Sequence, residues 1–240
     1  MSTPKRFFCE NLQNATEVYL EGEEFIHVKT VLRVEEGSEI VLLDGSGMEY
    51  SAIVAKLEKH RLLAHITGAI QNDKEPREHI YLLCGALKGD KTELVVQKAV
   101  ELGVSRIGIF NSEYCSAYMN QNKIERLNKV SREAAKQCLR ARAPEVLYFD
   151  NFSAALNSAE NCKNKLFACE FLGNSRGNML EITGSTALVV GSEGGFSEQE
   201  FALSESLGFT GISLGKRILR AETAAISMCA LAAFALGELK

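Results

Sequence analysis
The sequence predicts an α/β fold, a parallel sheet flanked by helices, with a small β-rich domain in front of it. Three observations carry this expectation. From residue 80 onward, short apolar runs of strand length alternate with helix-period patterns, as in repeated strand–helix–strand units. Residues 187–223 hold two strand–loop–helix units in succession, which sets two backbone-rich loops at one edge of the sheet, where α/β proteins bind ligands. Residues 1–70 instead show short runs separated by turn signals.

In the N-terminal part, strand patterns fall at 18–20, 39–43, 50–57 and 62–70, with a short helix at 23–32. Asp44-Gly45-Ser46-Gly47 follows an apolar strand and could pass for the start of a nucleotide- or methyl-donor-binding loop. Strand patterning resumes directly after it, so the segment reads as a hairpin turn. Residues 71–78 are polar and contain Pro76, a linker that divides the chain into domains at 1–72 and 73–240.

A strand at 80–84 then leads through Lys88-Gly89-Asp90 into a helix at 91–102, for which Asp90 and Glu93 can supply the cap. A strand at 105–110 precedes a long helix at 121–141. On that helix Ile124, Leu127, Val130, Ala134 and Cys138 recur at spacings of three and four, which defines an apolar stripe. Arg126, Lys129, Arg132, Lys136 and Arg140 repeat the spacing on the other side, interrupted by Glu125 and Glu133. Such a stripe is either a solvated face laced with ion pairs or a set of phosphate contacts. Arg132, Lys136 and Arg140, with Arg142 just beyond, are the candidates for RNA contact. A strand at 146–149, a helix at 153–159 and a strand at 166–170 follow.

Residues 187–190 form a short apolar strand, and Gly191-Ser192-Glu193-Gly194-Gly195 follows it. Three glycines in five residues let the backbone turn tightly and approach a ligand, although tight turning alone would also explain them. Ser197 and Glu200 form a capping box, with Phe196 and Phe201 placed as its hydrophobic staple. A second strand at 211–214 ends at Gly215-Lys216-Arg217-Ile218-Leu219-Arg220, which enters an apolar helix near Glu222-Thr223.

Composition narrows the chemistry. The 240 residues allow one or two domains, and a net charge of −4 leaves any nucleic-acid contact to local patches. Seven scattered cysteines without a CxxC pair, and no apolar leader, point to reduced thiols in the cytoplasm. The most apolar run, 224–236, is too short for a bilayer and suits a buried or subunit-facing helix. Neither a GxxxxGK[ST] loop, an HExxH motif nor zinc-ligand spacing occurs, so no metal is expected. All four histidines precede residue 80, none beside a glycine-framed serine. A glycine-lined pocket without nucleophile or metal remains. It is compatible with methyl transfer from S-adenosyl-L-methionine, with an α/β enzyme that holds a nucleotide phosphate at the Ser197 helix end, or with a non-catalytic RNA-binding protein.

The two motifs together, Gly191-Ser192-Glu193-Gly194-Gly195-Phe196-Ser197 and Leu214-Gly215-Lys216-Arg217-Ile218-Leu219-Arg220-Ala221-Glu222-Thr223-Ala224, resemble the ribosomal RNA small subunit methyltransferase E family. Members are SPOUT-type enzymes that methylate N3 of a uridine in 16S ribosomal RNA. His27 through Arg33 is similar to the family's His-x-x-x-Val-Leu-Arg signature, and Lys88-Gly89-Asp90-Lys91 and Glu101-Leu102-Gly103-Val104 also match. The segment from Gln137 to Pro144 resembles a family stretch of Glu-Gln-x-x-Arg type, from which Lys136 and Leu139 depart. Ser192 stands where the family usually has proline, which implies a less rigid loop.

The resemblance implies a trefoil-knotted parallel sheet behind a PUA-like β-barrel that holds RNA through His27 and Arg33. It implies that Gly191, Ser192, Glu193, Gly194 and Gly195 of the first loop bind S-adenosyl-L-methionine, together with Leu214, Gly215, Arg217, Ile218, Leu219, Ala221 and Thr223 of the second. A homodimer would complete the pocket. Arg220 is the expected catalytic residue, a cation that steadies the uracil anion as N3 loses its proton. Because N3 lies on the pairing edge, the target uridine must be unpaired or flipped out.

Overall fold
The computed structural model describes residues 4–28, 34–169 and 181–239. The chain divides into two compact units, Met1–Glu75 with Ala135–Ala143, and Pro76–Ala134 with Pro144–Lys240.

The first unit contains β1 (Lys5–Phe8), β2 (Glu17–Leu20), α1 (Gly22–His27), β3 (Glu39–Leu43), β4 (Met48–Leu57) and β5 (Leu62–Gln71), in the sheet order β1-β3-β4-β5-β2. Alternation decides the buried face: Tyr50, Ala52 and Val54 of β4 join Phe7, Leu42 and Leu62 in the core, while Ser51 and Ile53 point outward. Residues 44–47 do form the expected hairpin turn. There Asp44 Oδ1 accepts a hydrogen bond from Ser46 N at 2.9 Å, and Gly45 and Gly47 take φ of 79° and 99°. β1 has no predicted counterpart, because KRFF is too short to show a period; its parallel pairing with β3 defines it as a strand. α1 ends at His27 among the described residues, and residues 29–32 of the predicted helix lie outside them.

The second unit is a six-stranded, wholly parallel sheet in the order β11-β9-β10-β6-β7-β8. Its strands are β6 (Ile80–Gly85), β7 (Arg106–Phe110), β8 (Val146–Phe149), β9 (Asn164–Ala168), β10 (Thr186–Val190) and β11 (Thr210–Ile212). Between them run α2 (Lys91–Glu101), α3 (Gln121–Gln137), α4 (Phe152–Asn157), α5 (Glu198–Ser206) and α6 (Ala221–Ala235). The central pair β6 and β10 is almost continuously apolar because both faces are covered. From β10 the chain passes beyond β9 to the edge strand β11, then returns so that α6 packs on α2, β6 and β10. Two sequence expectations change here. Asp90 stands at the α2 N-cap without a side-chain cap bond; the start of α2 is tied instead by Thr92 Oγ1, which accepts from Leu87 N at 3.0 Å.

The second change is at α3, which stops at Gln137 and not near residue 141. Leu139 takes φ 67°, and Arg140 N donates to Ala135 O at 2.9 Å, the six-to-one closure of a helix end normally made with glycine. The carbonyl of Leu139 accepts from Asn72 Nδ2 at 2.9 Å and from Arg6 Nη2 at 3.5 Å. Arg6 in turn grips both oxygens of Glu49, at 2.6 and 3.2 Å. Burial pushes the Glu49 carboxyl up, but the Arg6 and Asn72 bonds outweigh it and hold the group below the usual carboxylate range.

Candidate active site
The C-terminal ends of β6, β7, β10 and β11 share one edge of the parallel sheet, and the loops that leave them build the site. The first glycine loop passes directly over Gly85 at the end of β6. A Cβ on Gly85 would stand 2.4 Å from Ser192 N, so no other residue leaves the loop in place. Ser192 is buried; its carbonyl accepts from Gly195 N at 3.0 Å, and its hydroxyl lies 3.3 Å from Ser112 Oγ. Gly195 supplies the positive φ of 71° that closes this turn. Hydrogen bonds and enclosure hold Ser192 within the turn.

The capping box of α5 is present. Ser197 Oγ accepts from Glu200 N at 3.3 Å, and Glu200 Oε2 accepts from Ser197 N at 3.0 Å. Phe196 and Phe201 both pack on Phe167, with ring centroids 4.3 and 5.8 Å away. Glu193 folds back toward α2, where its carboxylate accepts from Lys88 N at 3.1 Å and from Lys91 Nζ at 3.2 Å. Burial raises its pKa, but these donors and its own backbone amide prevail and hold it below the ordinary value. Lys91 Nζ is also 3.5 Å from Glu222 Oε2 in the first turn of α6, so one lysine bridges both predicted loops.

The second loop is open. Gly215 has φ 111° and nothing within 4 Å of where a Cβ would be; Ser213 Oγ bonds both its amide and its carbonyl at 3.3 Å. Among the described residues, the amides of Lys216, Arg217, Ile218 and Leu219 have no protein acceptor. Leu214 and Leu219 are half-buried, Arg217 is exposed, and Ile218 is 82% exposed, an unusual position for an isoleucine that only turns a corner. Ala221 and Thr223 lie in the first turn of α6. Arg220 is the N-cap of α6, exposed, and makes no side-chain hydrogen bond or ion pair among the described residues. Glu222, two residues further on, and Glu193 of the first loop face Lys91 instead. Cys84 beneath the loop offers no nucleophile, since burial pushes its thiol up to about 12.

The expected RNA-contact residues fare differently. Arg132 is exposed on α3, and Arg142 is exposed with its guanidinium laid over Gly47. Lys136 and Arg140 correct the reading of a continuous basic stripe, being only 8% and 4% exposed. Lys136 Nζ pairs with Glu24 at 3.2 Å and Arg140 Nη2 with Glu75 at 3.0 Å, because residues 135–143 are absorbed into the first unit. The side chain of His27 and all of Arg33 lie outside the described residues. Sequence reasoning missed the parts played by Lys91, Ser112 and Gly85; their only local signals were a strand-end glycine and a lysine inside a matched motif. No cluster of three metal-ligating side chains occurs among the described residues, and no described helix is long and apolar enough to cross a membrane.

A parallel sheet with two glycine-containing loops at its carboxyl edge, in a chain that also carries a small second sheet, defines a class of α/β proteins. Residues 73–233 match the RNA methyltransferase domain and residues 20–67 the RNA methyltransferase PUA domain. Ribosomal RNA small subunit methyltransferase E of Mesomycoplasma hyopneumoniae is 32% identical, with 83% of this chain and 86% of that protein covered. A crystal structure of the protein of that name from Neisseria gonorrhoeae, bound to S-adenosyl methionine, is 32% identical over 95% of this chain and 96% of that one, with a TM-score of 0.84. A putative methyltransferase from Legionella pneumophila with bound cofactor SAM is 28% identical over 97% and 98%, with a TM-score of 0.87. The chain belongs to the RNA methyltransferases, and within them to the ribosomal RNA small subunit methyltransferase E family.

Proposed function
We propose that this protein transfers a methyl group from S-adenosyl-L-methionine to N3 of a uridine in the 16S RNA of the small ribosomal subunit. The observation that carries the reading is Arg220, an exposed guanidinium without a carboxylate partner, set beside an open backbone cradle at Gly215. That cradle fits the cofactor: Leu214, Ile218 and Leu219 offer apolar surface to an adenine, and the unpartnered amides from Lys216 to Leu219 offer donors to its polar edge. When bound, S-adenosylmethionine supplies a methyl group already activated by its sulfonium. The chain itself then has three tasks. Residues 191–195, buttressed by Ser112 and Lys91, and the second loop orient the donor. Ile218 helps exclude water. Arg220 steadies the negative charge that spreads over the uracil oxygens as N3 gives its proton to solvent.

A nucleotide-phosphate site at α5 is disfavoured, because the amide of Glu200 is satisfied by Ser197 and the first turn carries Glu198 and Glu200. The protein is further proposed to act as a cytoplasmic homodimer with a knotted C-terminal segment. The return of the chain from edge strand β11 to the middle of the sheet supports the threading, and Leu231 and Phe234, exposed at 39% and 59% on α6, support the partner contact. The test is calorimetric binding of S-adenosylmethionine, followed by methyl transfer to unmodified small subunits with the modified base identified by mass spectrometry. Cofactor binding with N3-methyluridine as product is expected. Methylation at another atom overturns the assignment of N3, and no cofactor binding overturns the reading.

A further inference from the structure
Residues 111–120, between β7 and α3, are fastened to the first glycine loop at two points and to α5 at a third. Ser112 Oγ lies 3.3 Å from Ser192 Oγ, and Glu113 N donates to Glu200 Oε1 at 2.9 Å. Tyr114 lies so close to Gly194 that a Cβ there would sit 2.5 Å from the tyrosine carbonyl and 2.7 Å from its Cβ. Within the segment, Cys115 N donates to Ser112 O at 3.0 Å and Cys115 Sγ to Ala86 O at 3.3 Å, while Asn120 Oδ1 caps α3 by accepting from Lys123 N at 2.9 Å.

From this braced backbone two aromatic side chains are left at the surface, Tyr114 at 53% exposure and Tyr118 at 71%. Lys123 Nζ stands 5.7 Å from the centre of the Tyr118 ring. Rings held in water by a fixed backbone lose little further freedom on binding, and a ring face with a cation beside it is what an unpaired base stacks on. The exposed carboxylate of Glu113 flanks the same loop, which disfavours phosphate there and leaves the base face as the complementary part of a nucleic acid. We propose that Tyr114, against the first glycine loop, and Tyr118, beside Lys123, are stacking platforms for unpaired bases of the RNA substrate. This rests on the function proposed above.

The test compares Tyr114→Ala, Tyr118→Ala and the double variant with their phenylalanine counterparts. RNA affinity is measured by anisotropy on a single-stranded RNA oligonucleotide, with cofactor affinity, Tm and methyl transfer measured on the same preparations. Each alanine is expected to weaken RNA binding by roughly 5-fold or more, with cofactor affinity, Tm and the salt slope unchanged and phenylalanine restoring affinity. In an unaltered protein that transfers methyl groups, wild-type RNA affinity in the double alanine variant overturns the platforms alone. So does failure of phenylalanine to restore it, or loss of Tm and cofactor affinity in parallel with RNA affinity. An unaltered protein that neither binds cofactor nor transfers methyl overturns the function and the platforms with it.

Discussion
At the scale of single residues, Arg220 is the group whose meaning the structure sharpens most. Glu222 beside it or Glu193 of the first loop could have neutralised it, but Lys91 takes both and leaves the guanidinium unpaired among the described residues. If Arg220 stabilises charge that exists only in the transition state, Arg220→Ala keeps near-normal cofactor affinity while single-turnover transfer falls by roughly 100-fold or more. Arg220→Lys should recover little, since an ammonium lacks the planar fork. Loss of cofactor affinity in proportion to rate would instead make the residue structural. A second residue-scale prediction concerns Gly85, which was invisible as a site residue. Gly85→Ala forces its methyl into the backbone of Ser192, so Tm drops, at a cost of about 1–3 kcal/mol. Cofactor affinity falls with it, because the loop cannot keep its position.

At the scale of elements, α3 separates what periodicity predicts from what packing decides. The apolar stripe was readable: Ile124, Leu127 and Ala134 are buried. The basic stripe was not, since equal spacing says nothing about what lies opposite each lysine or arginine. Lys136 and Arg140 face Glu24 and Glu75 within the first unit, whereas Arg132 stays exposed. Arg132→Ala should flatten the slope of log RNA affinity against log salt by roughly 1 unit. Arg140→Ala leaves the part-buried Glu75 carboxylate with only the amides of Ala141 and Arg142 and should cost about 1–3 kcal/mol in chemical denaturation. The Arg6–Glu49 pair adds a pH dependence with a definite sign. The Glu49 carboxyl lies below its unfolded value, so its contribution is present above the ordinary glutamate pKa of about 4.3 and is lost as pH falls through the lowered value. Glu49→Gln should remove that acid-side slope from denaturation curves.

At the scale of the whole molecule, α6 covers β6, β10 and α2 with one face and leaves Leu231 and Phe234 on the other. A second copy of the chain is the proposed cover. Light scattering should then give twice the 26.3 kDa of one chain, and Phe234→Asp should shift the mass to that of a monomer and weaken cofactor binding. A monomeric parent protein with full cofactor affinity would end the dimer proposal.

The sequence by itself determined the elements and their order, because strand alternation, apolar central strands and the Ser197–Glu200 box are local codes that any compact fold must honour. It also marked both glycine loops, where a Cβ at 191 would meet the Phe196 ring, one at 194 the Tyr114 backbone, and 195 and 215 take positive φ. Tertiary structure alone decided the rest. β1 became a strand by pairing with β3, and the αL turn at Leu139 is held by Asn72 and Arg6 from far along the chain. Lys91 was chosen over Arg220 as the partner of Glu193 and Glu222, and Ser112 was brought to Ser192. The physical reason is that charge pairing, hydrogen-bond closure and steric exclusion depend on distances across the sheet, which no spacing along the chain encodes.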